Sequence, residues 1–280
     1  MSDETPVGTA AAQPDPERPR KEPKKSSFWR ELPVLLVIAV VLALLINTFL
    51  VKAFFIPSGS MEQTLHGCTG CSGDRVLVNK VTYRFGDPSP GDIVVFKGPE
   101  SWAPETAINQ PANFLQRAVQ TVASTFGVAT PGEKDFVKRV IAVGGQTVQC
   151  CDAEGRVTVD GKALIEPYVF LSDPDNQPSP FGPILVPEGR MWLMGDHRDQ
   201  SSDSRSHITD PDQGTVAMDD VIGKAFVIIW PVDRWDTLGA PAAFGGDGRS
   251  PWTLPLLLGL PVLAVVLLFG NGWRRRRRAR

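Results

Sequence analysis

Histidine and cysteine are scarce in this 280-residue chain, with three of the first and four of the second. Any histidine-based catalysis must therefore draw on His66, His197 or His207. Neither sign of charge is in excess, with 29 Lys and Arg against 31 Asp and Glu, so the net charge of −2 points to no charged class of partner. No internal repeat is visible, which argues against a solenoid or repeat array. Residues 1–27 have almost no large apolar side chains and are rich in Pro, Ala, Asp, Glu and Lys. Such a segment cannot bury enough apolar surface to offset its ordering entropy, and disorder is expected.

Apolar residues make up 42% of the chain, and two runs concentrate them. Leu32 to Val51 gives twenty residues, with a proline near the start and Asn47 as the main polar member. A membrane-spanning helix needs about 20. Trp252 to Phe269 is shorter and is interrupted by Pro255, Gly259 and Pro261, which membrane helices tolerate when neighbours satisfy the freed backbone groups. The first run is too long for a signal-peptide core, and KAFFIPSGS follows it with no small-residue cleavage site. It reads as an uncleaved anchor. Arg18, Arg20, Lys21, Lys24, Lys25 and Arg30 precede the first run, and Arg274 to Arg278 with Arg280 follow the second. Positive flanks stay in the cytoplasm. The expected layout is therefore a disordered cytoplasmic tail (1–30), a transmembrane helix (31–52), an extracytoplasmic domain (53–250), a second transmembrane helix (251–270) and a basic cytoplasmic tail (271–280). The membrane position accounts for the arginine run, so no nucleic-acid partner is expected.

Cys68, Cys71, Cys150 and Cys151 then lie outside, where disulfides persist. Pairing within each couple is favoured, although four cysteines allow three connectivities. A zinc site built from His66 and cysteines would need thiolates, which an oxidising compartment opposes, and no metal is expected.

Short β-type runs punctuated by Gly, Pro and Asp turns occupy 75–79, 92–96, 136–143, 156–159, 191–194 and 225–230. They suggest a mainly β domain with coiled or barrel-like antiparallel sheets. Residues 112–126 have helical apolar spacing, and 172–183 reads as a surface loop.

Three segments are dense in chemistry. Ile56-Pro57-Ser58-Gly59-Ser60-Met61 is a Ser-Gly-Ser turn just beyond the first apolar run. Phe136-Val137-Lys138-Arg139-Val140-Ile141 is a strand with two adjacent cations, which alternation sends to opposite faces. If Arg139 is solvated, Lys138 points to the apolar side, where desolvation disfavours the charged form; the alternative is that its stem lies along apolar surface and its amine reaches water. The third segment, Gly195 to Arg205, reads GDHRDQSSDSR.

Together these segments resemble the bacterial type I signal peptidase family, especially its actinobacterial members. PSGSMEQTL, GDRVLVNK, GDIVVF, FVKRVIAVGG and GDHRDQSSDSR stand in the family's order over residues 57–205. The resemblance implies a membrane-bound serine endopeptidase that removes signal peptides from exported preproteins and uses no cofactor. Ser60 would be its nucleophile and Lys138 its general base. Ser58 and the Ser60 N–H would form the oxyanion hole, Ser201 would orient the amine, and Asp203 with Arg205 would brace the rim. The family often has Asn where this chain has His197, and Gly-Leu-Pro-Gly-Asp where it has residues 142–146; neither departure falls on a residue with an implied chemical role.

The chemistry is consistent with those roles. Serine needs a base, and a lysine serves only when neutral. Phe136, Val140, Met61 and Leu65 are the expected apolar neighbours of the amine. Shallow pockets lined by Ile56, Met61, Leu65 and Val137 would accept the A-x-A-like ends of signal peptides. Phe54, Phe55 and Ile56 would rest in the membrane interface. Expected partners are preproteins, membrane lipid and the protein-export channel. Three rival readings are a histidine-based serine protease, a tethered thiol–disulfide oxidoreductase using Cys68 and Cys71, and a non-catalytic export scaffold. The oxidoreductase would need its motif to open a helix after a strand.

Overall fold

The computed structural model describes residues 28–68, 71, 73–103, 134–175 and 179–245. The second apolar run, the helical spacing at 112–126 and the tails at 1–27 and 271–280 lie outside these residues. Chain contacts define two units, one up to Val41 and one from Leu42 onward.

Helix α1 covers Phe28–Phe49 and includes Pro33. Its stretch Leu32–Phe49 is long and apolar enough to cross a membrane, and none of it is buried within the protein. The helix ends before the apolar run does. Val51–Phe55 forms strand β1 instead, paired antiparallel with β2 (Arg75–Asn79) from Val51 opposite Asn79 to Phe55 opposite Arg75. Phe54 and Ile56 are accordingly core residues, each 2% exposed, rather than interface residues. Their side chains fill the space behind a paired strand.

The remaining strands are β3 (Ile93–Lys97), β4 (Asp135–Val143), β5 (Thr147–Cys150), β6 (Val157–Val159), β7 (Lys162–Ala163), β8 (Phe181–Leu185), β9 (Arg190–Met194), β10 (Val216–Ala217), β11 (Val221–Trp230) and β12 (Asp236–Thr237). The large sheet is antiparallel and runs β1-β2-β11-β3-β4-β9-β10, with β12 on β11. Its longest strand, VIGKAFVIIW, is rich in β-branched residues that suit a pleated surface. Register shifts in β11 fall at Ala225/Val227 and Ile228/Trp230, and such bulges increase local twist. The small sheet runs β7-β6-β5-β8. Its strand β8 begins at Phe181, so the end of the expected 172–183 loop is in fact strand. Phe181 and Ile184 point into the core, which accounts for that.

Strand β4 lies between β3 and β9 and is buried along most of its length. A strand covered on both faces reads as a near-continuous apolar run, as FVKRVIAV does apart from its two cations. Phe136 and Val140 pack with Val94, Phe96, Trp102 and Leu193. Val137 packs against a second cluster that holds Phe54, Ile56, Met61 and Leu65. Two cations in the middle of such a strand need partners, and those partners define the site.

Candidate active site

After β1 the chain keeps one more ladder bond, from the Ile56 N–H to the Asp74 carbonyl at 2.9 Å. Pro57 offers no donor to extend the ladder. Ser58 is extended, and Gly59–Met61 form a 3₁₀ turn closed by the Glu62 N–H on the Gly59 carbonyl at 3.1 Å. The returning chain lies directly against this turn. A Cβ on Gly67 would stand 2.5 Å from the Ser58 carbonyl oxygen, so only glycine fits there.

The turn delivers Ser60 to β4. Lys138 Nζ donates to Ser60 Oγ at 2.7 Å across 78 residues of sequence. Lys138 is 0% exposed and Ser60 4%. Ser58 Oγ lies 3.2 Å from Ser60 Oγ. A serine hydroxyl bonded to a buried amine is the arrangement a serine–lysine nucleophile requires.

The rim segment leaves the end of β9. Gly195 passes so close to the turn that a Cβ would sit 2.5 Å from the Ser60 carbonyl oxygen and 2.2 Å from Ser201 Oγ. Arg139 is not solvated, as the alternation argument had supposed. It is 2% exposed and makes a bidentate pair with Asp196, Nε to Oδ1 at 2.8 Å and Nη2 to Oδ2 at 2.6 Å. Its Nη1 donates to the Gly91 carbonyl, and its guanidinium stacks 4.1 Å from the Tyr168 ring centroid. The second lone pair of Asp196 Oδ2 takes the Thr64 hydroxyl at 2.6 Å. Adjacent cations on β4 therefore hold the two halves of the site, Lys138 the Ser60 turn and Arg139 the rim.

Asp203 and Arg205 form a second bidentate pair at 2.8 and 2.7 Å, and Asp203 Oδ2 also accepts the Gly195 N–H at 2.9 Å. Burial alone would raise the Asp203 carboxyl, but the Arg205 guanidinium and the Gly195 N–H outweigh it and hold it below the usual carboxylate range. Ser201 Oγ is buried without a hydrogen-bond partner among the described residues, so the expected bond to the lysine amine is absent from this state. The backbone at Gly195 packs against that hydroxyl.

A family model described as "Signal peptidase, peptidase S26" matches residues 29–230, a stretch that contains the turn, β4 and the rim. The chain belongs to the signal peptidase family. Signal peptidase I of Mycobacterium tuberculosis (strain H37Rv) is 49% identical over 237 residues, covering 80% of this chain and 79% of that protein. The probable signal peptidase I of Mycobacterium leprae is 48% identical over 238 residues, covering 78% and 82%. Signal peptidase I of Leptolyngbya laminosa is 35% identical over 243 residues, covering 85% of this chain and all of that protein.

Within this signal peptidase fold the expected pocket residues Ile56, Met61 and Leu65 fall in one cluster with Val137 packed against it. Only Val137 of the four is half-buried; the others are at most 2% exposed and lie beneath the surface rather than lining it. The amine's four expected apolar neighbours divide, with Met61 and Leu65 in that cluster and Phe136 and Val140 in the other. Cys68 is bonded to Cys71 and Cys150 to Cys151. The first couple lies in the loop leading to β2 and opens no helix among the described residues, which is not the setting of a redox CxxC motif. His66 Nε2 is 3.8 Å from Cys71 Sγ, and with both cysteines this makes a possible ligand trio, but the sulfurs are already committed to each other.

Sequence reasoning missed two supports of the site. One is the Arg139–Asp196 pair, whose partners are 57 residues apart. The other is Arg198, 5% exposed and paired with Glu166 at 2.6 Å. The density of polar residues in GDHRDQSSDSR directly after the apolar MWLM was the available signal.

Proposed function

We propose that Ser60 and Lys138 are the catalytic dyad with which this signal peptidase removes signal peptides from preproteins. The observation that carries the reading is the 2.7 Å bond from a buried Lys138 amine to the Ser60 hydroxyl. In acylation the neutral amine takes the hydroxyl proton as Oγ attacks the scissile carbonyl. The resulting ammonium returns the proton to the departing amine, and the acyl ester remains on Ser60. Water then attacks the ester with the same amine as base, which regenerates the hydroxyl. The oxyanion in both steps would be met by the Ser60 N–H and the Ser58 hydroxyl, and losing one such donor costs about 10²–10³ in rate. Ser201 supplies an unpaired hydroxyl to steady the amine once Ser60 gives up its proton. The Asp203–Arg205 pair keeps the rim in register.

A histidine base is disfavoured by what the imidazoles already face. His66 Nδ1 is 2.5 Å from Glu62, and its Nε2 faces Cys71. His197 uses Nδ1 on the Gly59 carbonyl and Nε2 on Ser172. His207 uses Nδ1 on Asp210 and Nε2 on Ser202.

The substrate reading keeps alanine at −1 and −3, received by the surface at Val137, with the buried cluster of Ile56, Met61 and Leu65 packed behind it. The peptidase is membrane-anchored, and only a five-residue strand and a turn separate α1 from Ser60. That short tether suits a substrate that is itself threaded through a bilayer. The proposed topology adds a second span at Trp252–Phe269, both termini in the cytoplasm, the catalytic domain outside, and contact with lipid and the export channel. Cleavage of a preprotein by purified Ser60→Ala and Lys138→Met tests the dyad. Both should be folded and inactive, and near-normal turnover by either would refute it.

A further inference from the structure

We infer that His197 is a positioning residue for the nucleophile: its ring and its own backbone N–H together fix the carbonyls of Gly59 and Ser60. The inference rests on the Ser60–Lys138 reading and adds to it the device that aims the serine.

Two bonds reach the turn from this one residue. The His197 N–H donates to the Ser60 carbonyl at 3.1 Å, and His197 Nδ1 lies 2.9 Å from the Gly59 carbonyl oxygen. A carbonyl only accepts, so Nδ1 carries the hydrogen. Nε2 is then free to accept the Ser172 hydroxyl at 2.6 Å, with Asp199 Oδ1 at 3.2 Å on the same side. If Nε2 gains a proton it has Asp199 as an acceptor, and the bond to Gly59 survives in either state. The ring nitrogens are thus both engaged away from Ser60 Oγ, which separates this role from that of a base.

The ring can hold the turn because it is itself held. His197 is 5% exposed, and its ring packs on Phe170 with centroids 4.7 Å apart. Its backbone bridges to Phe170 on the other side, through the Phe170 N–H on the Asp196 carbonyl at 2.8 Å and the Arg198 N–H on the Phe170 carbonyl at 2.9 Å. The preceding Asp196 is clamped by Arg139. Gly59 O already takes the Glu62 N–H that closes the 3₁₀ turn. With the imidazole as a second donor at that oxygen, and the His197 N–H on the next carbonyl, the turn has little freedom to rotate. Rotation is what would swing Ser60 Oγ off the Lys138 amine, and a displacement of about 1 Å at a reacting atom can cost about 10²-fold.

The test is preprotein cleavage by the full-length enzyme carrying His197→Asn or His197→Leu. Asparagine places its amide nitrogen at the same bond count from Cα as imidazole Nδ1, so it can keep the Gly59 bond. Leucine fills similar space without a donor. His197→Asn should stay within about threefold of wild-type kcat, whereas His197→Leu should lose about 10- to 100-fold. KM should change little in either, because the clamp touches the nucleophile rather than the peptide. Should the leucine variant fail to fold, His197→Gln takes its place, since its amide reaches the Nε2 position instead and should show the same kcat loss. Wild-type kcat in the leucine or glutamine variant, equal impairment of Asn and Leu, or a change confined to KM would each overturn the inference. Ser60→Ala measured alongside keeps the two readings apart: activity there would remove the dyad, while an unaffected His197→Leu would remove only the clamp.

Discussion

Lys138 and Arg139 are neighbours on one strand, and each is buried at a cost that only a partner offsets. For Arg139 the partner is Asp196, reached by two short bonds in a site closed to solvent. Breaking such a pair from one side leaves an uncompensated buried charge and typically costs about 3–5 kcal/mol. Arg139→Met should therefore lower the unfolding free energy by about that amount in denaturant titration, with loss of activity following from a displaced rim. Asp203 makes a pH prediction. Its carboxyl is held below its ordinary value by Arg205 against the effect of burial. Its stabilisation is then fully present above the unfolded value of about 3.9 and is lost as pH falls through the lower folded value. Asp203→Asn should be less stable than wild type at neutral pH, and the gap should close below about pH 4. A gap that widens in acid would mean the carboxyl is not held in its charged form. At this scale the sequence picked out the segments dense in polar and charged groups but not how the cations are compensated. The strand alone left Lys138 open to a snorkelling role, and only the family resemblance singled it out. Solvated Arg139 was the condition of the alternation argument, because nothing local to FVKRVIAV reveals an acid 57 residues away.

Among the elements, β4 and the rim segment were readable because their patterns are strong, an apolar run of β-branched residues and a polar block straight after MWLM. The observed β2 has the expected bounds, and β4 differs by one residue. Strand β1 was not readable, since Val51 still belongs to the helix run and only Lys52 marks a change before Ala53-Phe54-Phe55, and only pairing with β2 assigns these residues to a sheet. That gives a test by truncation. A chain beginning at Leu50 keeps β1 whole and should cleave a short peptide in detergent, whereas one beginning at Ile56 removes the sheet's edge strand and should lose both cooperative unfolding and cleavage. Equal activity of the two would show that β1 does not support the nucleophile turn. Gly195 acts at the same scale. A methyl group there meets the Ser60 carbonyl and Ser201, so Gly195→Ala should push the rim off the turn and lower kcat at least about tenfold, roughly the cost of a sub-ångström to 1 Å misplacement. Normal kcat would mean the two segments separate freely.

For the molecule as a whole, an apolar helix is followed within a few residues by a β-domain whose strand β4 carries Lys138, the proposed base. The anchor, the mainly β class and the order of the five family segments were all visible in the sequence. The strand order of the sheet and the burial of Ser60 and Lys138 depend on pairings between distant strands and were not. The central claim is that Ser60 and Lys138 work as one unit, and a set of single and double replacements tests it most directly. Residues that act as a unit are grossly non-additive: losing one already forfeits what the pair supplies. Preprotein cleavage rates should fall by at least about 10³ in Ser60→Ala and in Lys138→Met, and the double variant should fall no further than the worse single. Losses that multiply in the double variant, or a Lys138→Met enzyme that retains a substantial fraction of wild-type kcat, would contradict the dyad.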